Sequence, residues 1–166
     1  MEEIKEIKKQ ISDLQSKVAK IENESKKGNN RWRAQKGGFY WYVGNRGDIE
    51  KDYDEMWDID DCRFKTRNYF KTEDEAKEYR EVMNTYYDLM DLADELNNGK
   101  KIDWNSKDQC KYLIYYDRED DQLHKTYANM CNYLGQIYCL DEYFKEKAII
   151  RIGEDRLKKL FKYERS

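Results

Sequence analysis

The residues of this chain that could do chemistry are mostly carboxylates, with adjacent pairs at Asp60-Asp61 and Asp120-Asp121. Acid–base catalysis needs two carboxyl groups whose surroundings push their proton affinities apart. Neighbouring acids in turn-rich, charged segments are instead both solvated, so these pairs read as surface. His124 is the only histidine, and Cys62, Cys110, Cys131 and Cys139 form no C-x-x-C pair, so the spacing of a structural zinc site is absent. Cys131 or Cys139 could act as a nucleophile only with His124 as its base, and packed cysteines that serve as small apolar residues are the simpler reading. No G-x-S-x-G, P-loop or G-x-G-x-x-G fingerprint occurs. The expectation is a non-enzymatic protein with no catalytic residue, no cofactor and no metal.

Two surfaces could still bind. The acidic stretches Asp48 to Asp61 and Asp117 to Asp121 could imitate a phosphate backbone and occupy a basic channel of a host protein, with Asp58, Asp60, Asp61, Asp120 and Asp121 in contact. The alternative is a nucleic-acid or nucleotide site at Arg31, Trp32, Arg33, Tyr40, Trp41 and Arg46, where rings stack on bases and guanidinium groups hold phosphate. Against it stands a structural reading in which Trp32 seals the core and the arginines pair with the acidic stretch from Asp52 to Asp61. Arg46-Gly47-Asp48 matches an adhesive tripeptide, but turn chemistry accounts for it.

Composition sets the frame. Among 166 residues, 32 Lys and Arg nearly cancel 35 Asp and Glu, and a net charge of −3 leaves no bulk basic field to draw in nucleic acid. An aromatic share of 14 %, with 15 Tyr and 4 Trp, implies an ordered core. Without an apolar leader or a run of the ~18 residues a bilayer requires, a cytoplasmic protein with no membrane contact is expected.

The elements that must position these groups begin with a heptad. Ile4, Ile11 and Val18 occupy one core position and Ile7, Leu14 and Ile21 the other, the pattern of a helix that zips against its own copy. The flanking g and e residues, Glu3 with Lys8, Gln10 with Gln15 and Lys17 with Glu22, suit a parallel homo-oligomer, and the β-branched residues leave dimer and trimer open. Lys26 to Asn30 ends this arm. Phe39 to Val43 alternates as a strand, and Gly44 to Asp48 supplies a hairpin turn returning through Ile49. An acidic loop to Asp61 and a strand over Arg63 to Phe70 are predicted next. Thr72-Glu73-Asp74-Glu75 is a capping box, and Ala76, Tyr79, Met83, Tyr86, Met90 and Ala93 trace a helix that stops at Asn97-Asn98-Gly99. The second half echoes the first. Trp104 stands for Trp32, Tyr112 to Tyr116 for the first strand, Asp117 to Asp121 for the turn, and Gln136 to Tyr138 precedes a helix start at Asp141-Glu142. A last helix runs from Glu154 to Phe161. The predicted fold is α+β, with a coiled-coil helix (1–27) and two similar strand-strand-strand-helix units (28–99 and 100–166).

Across Arg31 to Tyr42, Asn68 to Ala76 and Ile152 to Phe161 the chain resembles small accessory proteins of phages, prophages and mobile elements of Gram-positive bacteria. That resemblance assigns no site residue. It implies a context in which such proteins block host defence, CRISPR nucleases included, by binding a protein surface or sequestering a signalling nucleotide. An assembly component of a phage particle is a further option.

Overall fold

The computed structural model describes residues 31–163 and, ahead of them, Ile11, Leu14, Gln15 and Lys17. Those four are helical and exposed. The heptad positions Ile4, Ile7, Val18 and Ile21 lie outside the described residues, as do the arm's boundaries.

The body is mixed α and β. A first hairpin, β1 (Phe39–Val43) and β2 (Ile49–Tyr53), is followed by α1 (Asp58–Lys65) and α2 (Glu73–Asn97). A second hairpin, β3 (Lys111–Asp117) and β4 (Gln122–Ala128), precedes α3 (Phe144–Ile152) and α4 (Glu154–Lys162). Both hairpins are antiparallel, with Phe39 opposite Tyr53 in one and Lys111 opposite Ala128 in the other. No helix among the described residues is long and apolar enough to cross a membrane.

The expected third strand of each unit is not there. Residues 63–70 are the end of α1, a turn and a single antiparallel bridge from Phe70 to Trp41, and the second half repeats this with one bridge from Cys139 to Tyr112. The reason is visible at Asn68, whose side chain accepts from Val43 N–H and donates to Val43 C=O. An amide side chain thus takes the place of the next ladder pair. Other contacts do recur between the halves. Trp32 lies 5.8 Å from Tyr69 and Trp104 lies 4.9 Å from Tyr138, each tyrosine being the residue before its bridge. The residue before the other bridge partner is wholly buried in both units, Tyr40 in the first and Lys111 in the second.

Local chemistry sets the helix ends. Thr72 Oγ1 accepts from Glu75 N–H while Glu75 reaches back to the Thr72 N–H, and Asn98 closes α2 in the left-handed region at φ 47°. Asp141 orders the turn ahead of α3, its carboxylate accepting from Tyr143 N–H at 2.8 Å. Gly153, at φ 99°, separates α3 from α4 with a backbone that a side chain would strain.

The main core is built by α2, β3, β4, α3 and α4 around Leu89, Leu92, Ile114, Leu123, Phe144, Ala148 and Leu157. The carboxyl-terminal half of α2 therefore packs in the second unit. Its amino-terminal half faces the first hairpin through Phe70 and Tyr79, with rings 5.0 Å apart, and through Arg80 Nη1, which donates to Gly47 C=O. The buried stripe of α2 is Ala76, Val82, Thr85, Leu89, Leu92 and Ala93, rotated from the expected one: Met83 and Tyr86 are half-buried and Met90 is exposed. Both stripes obey three-and-four spacing, and the placement of α3 and α4 against the helix chooses between them. Replacing Leu89 by Ala is expected to cost about 3 kcal/mol by emptying a packed site, while Met90→Ala stays within about 1 kcal/mol. Urea denaturation of the two variants checks this.

Candidate functional site

The first hairpin has little apolar core, only Ala34, Tyr40 and Tyr69 with Tyr42 and Phe64 against them. Charge fills the rest. Asp54, the first residue after β2, is fully buried, and its backbone is clamped from both sides, Gly37 N–H donating to its carbonyl and its own N–H to Gly38 C=O. Its carboxylate accepts from Arg33 Nε at 2.7 Å and Nη2 at 3.1 Å, from the Tyr69 hydroxyl at 2.7 Å, and from Met56 N–H at 2.9 Å. Asp60, buried within the first turn of α1, accepts from the Tyr40 hydroxyl at 2.7 Å and from the N–H groups of Glu55 and Trp57 at 3.1 Å. Arg63 donates to Tyr40 and to Asp52, and Arg33 reaches Asp61 at 2.7 Å. The tyrosine rings stack with centroids 4.0 Å apart.

Two buried carboxylates thus hold the N–H groups of Glu55, Met56 and Trp57, which fixes the segment between β2 and α1. Met56 sits there at φ 61°, a conformation disfavoured for a side chain of its size, and it persists because the surroundings determine it. The outcome is an exposed apolar patch: Trp57 is 67 % exposed, and Tyr53, Met56 and Ile59 stand out beside it, with Phe39 facing Tyr53 across the hairpin.

The network shifts its members in opposite senses. Burial raises Asp54, but hydrogen bonds from Arg33, Tyr69 and Met56 outweigh it and leave the carboxyl below its usual range. The Arg63 hydrogen bond lowers Asp52. Burial, with carboxylate neighbours, holds Tyr40 and Tyr69 well above a free phenol.

The sequence-predicted positions divide. Asp60 is not a surface group, and Asp61 is half-buried against Arg33, because α1 forms where an acidic loop was expected. Asp58 remains exposed. Asp120 and Asp121 are exposed in the second turn, where Asp121 accepts from Lys162 and Tyr116 at 2.6 Å and is drawn down to about 2, chiefly by Lys162. The arginine-aromatic set is largely engaged internally. Arg31 lies over Phe64 at 3.8 Å, Arg33 pairs with Asp54 and Asp61, Tyr40 is buried and Trp41 half-buried, leaving Trp32 and Arg46 exposed. That is the pairing of arginines with the acidic stretch that competed with nucleotide binding.

Cysteine placement also differs from the expectation of mostly packed thiols. Cys62 and Cys131 are exposed, Cys110 is intermediate, and Cys139 alone is buried, its thiol pushed up by burial. His124 is engaged with Asp120 at 2.7 Å and stacks on Tyr115. Met56 and Trp57 escaped the sequence reading. The available signal was an aspartate three residues beyond Trp57, able to reach back to the start of a helix.

Comparison with protein-family models, curated proteins and solved structures finds no match.

Asp54→Asn is expected to destabilise the protein by about 3 kcal/mol, since it strips Arg33 of its main partner inside the fold. Its effect on the first unit should appear as faster amide exchange at Glu55 to Trp57. The pH dependence has two limbs. Asp52 and Asp54 have depressed folded values, so their contribution is complete above about pH 4 and is lost as pH falls through the folded values. The raised tyrosines favour the neutral form, so their contribution is complete below about pH 10 and is lost above it. Thermal melts between pH 2 and 11 should decline at both ends.

Proposed function

We propose that this chain is a non-enzymatic, self-associating interaction protein of phage or mobile-element origin. It works in the cytoplasm of a host cell by occupying the surface of a defence protein, a CRISPR effector being one candidate. The observation that carries this reading is the Met56-Trp57 segment, an apolar surface held rigid from beneath by two buried carboxylates. Tryptophan dominates the energetics of protein contacts when presented without an ordering cost, and a pre-set loop removes that cost. With Asp58 exposed beside it and Glu55 at its edge, the patch suits an apolar pocket with a basic rim. Phosphate mimicry by the whole acidic stretch is weakened, because Asp52, Asp54, Asp60 and Asp61 are engaged internally.

Self-association draws support from Ile11 and Leu14, helical residues at the two core positions of the heptad that stand exposed in the single chain. Binding of nucleic acid or nucleotide gains little from a cluster in which Arg31 and Arg33 are turned inward and Arg46 alone of the three arginines stands exposed.

A tagged full-length chain expressed in a Gram-positive host is expected to retain one defined protein in stoichiometric amount. Trp57→Ser should cut that recovery at least tenfold without changing the fold, and Arg46→Ser should leave it unchanged. Recovery of nucleic acid in place of protein, or equal recovery by both variants, overturns the assignment. Ile11→Asp is expected to reduce the mass measured by light scattering to that of one chain.

A further inference from the structure

We propose that the turn of the second hairpin is a binding site for a divalent transition-metal ion, with Asp117, Asp120 and His124 as its protein ligands. One carboxylate oxygen from each aspartate and one imidazole nitrogen all lie within 4.8 Å of one another. Asp117 ends β3, Asp120 sits in the turn, and His124 follows in β4 opposite Tyr115, so the hairpin register brings them to one point. His124 Nε2 and Asp120 Oδ2 are 2.7 Å apart. Two ligands bound to one zinc ion at tetrahedral angles stand about 3.3 Å apart, so a small opening admits the ion.

The donors are oriented from behind. Oδ1 of Asp117 accepts from Glu119 N–H at 2.8 Å, and Oδ1 of Asp120, the oxygen that does not face His124, accepts from Gln122 N–H at 3.0 Å. The imidazole is stacked on the Tyr115 ring at 5.5 Å. Hydrogen bonds and packing of this kind fix the direction of metal ligands and raise affinity. The lysines that reach this turn, Lys158 and Lys162, close on Asp121, and His124 pairs with Asp120. An imidazole among the donors separates this set from a solvated acidic turn. Calcium and magnesium favour all-oxygen shells, whereas zinc and its first-row neighbours accept a nitrogen with two carboxylates and keep a further position for water.

Calorimetric titration of the full-length chain with zinc sulfate alone is expected to show one equivalent bound at micromolar concentration, with the His124 ring resonance moving on addition. His124→Ala, Asp117→Asn and Asp120→Asn should each weaken binding at least tenfold, and circular dichroism identifies any variant that fails to fold. Asp108→Asn, at an exposed loop carboxylate, should leave zinc binding unchanged. Because exposed Cys62 and Cys131 can also take zinc, the double variant Cys62→Ser, Cys131→Ser is titrated in parallel and should bind as tightly as the parent. Loss of binding in that double variant overturns the site. So do affinities within twofold of the parent in the folded ligand variants, or no heat and no His124 shift at millimolar zinc.

Discussion

The buried carboxylate of Asp54 is the constraint on which the first half of the molecule depends. It gathers Arg33, Tyr69 and Met56, drawn from three separate stretches of chain, onto one pair of oxygens. A charge withdrawn from water is costly unless every lone pair is engaged, and here the partners are an arginine fork, a phenol and a backbone N–H. Such a network adds little net stability over an apolar core of equal volume. What it adds is geometry, because a misplaced partner leaves a bare charge inside the protein. Asp60 repeats the device one turn into α1, and the two together leave the segment between β2 and α1 a single conformation.

The two halves solve the same assembly problem differently. Each has a hairpin, a single bridging residue after it, and a tryptophan against the tyrosine that precedes the bridge. In the second half the hairpin packs against α3 and α4 and closes, with side chains of α2, over an aliphatic cluster. Lys111 tolerates burial there because its ammonium donates to the carbonyls of Ser106 and Asn129, with the Trp104 ring nearby. In the first half the short α1, through Phe64, and the start of α2 approach, too little apolar surface to close a core. Ion pairs complete the interior, and the apolar side chains of the segment at Met56 and Trp57 face outward.

Much of this architecture was legible wherever one short stretch of chain decides it. The Thr72 to Glu75 capping box, the Gly44 to Asp48 turn and the stop at Asn98-Gly99 are set by chemistry among residues a few positions apart. The strand expected over residues 63–70 failed because α1 draws its support from distant groups. Asp60 at its start answers to Tyr40, and Arg63 to Asp52 and Tyr40. The stripe of α2 was placed one step round the helix because Tyr and Met residues satisfy the same period as the aliphatic set, and periodicity does not rank two compatible faces.

The sequence by itself determined the mixed α and β class, both hairpin turns and the caps of the long helix, all consequences of local backbone preference and period. Which charged groups go inside was decided by tertiary structure alone. Asp58, Asp60 and Asp61 are neighbours of one chemical type, yet one is exposed, one buried and one half-buried. The difference lies in partners some 20 to 28 residues away, Tyr40 for Asp60 and Arg33 for Asp61. Desolvation is set by everything that surrounds a group in space, and a one-dimensional pattern of charge does not contain that surrounding.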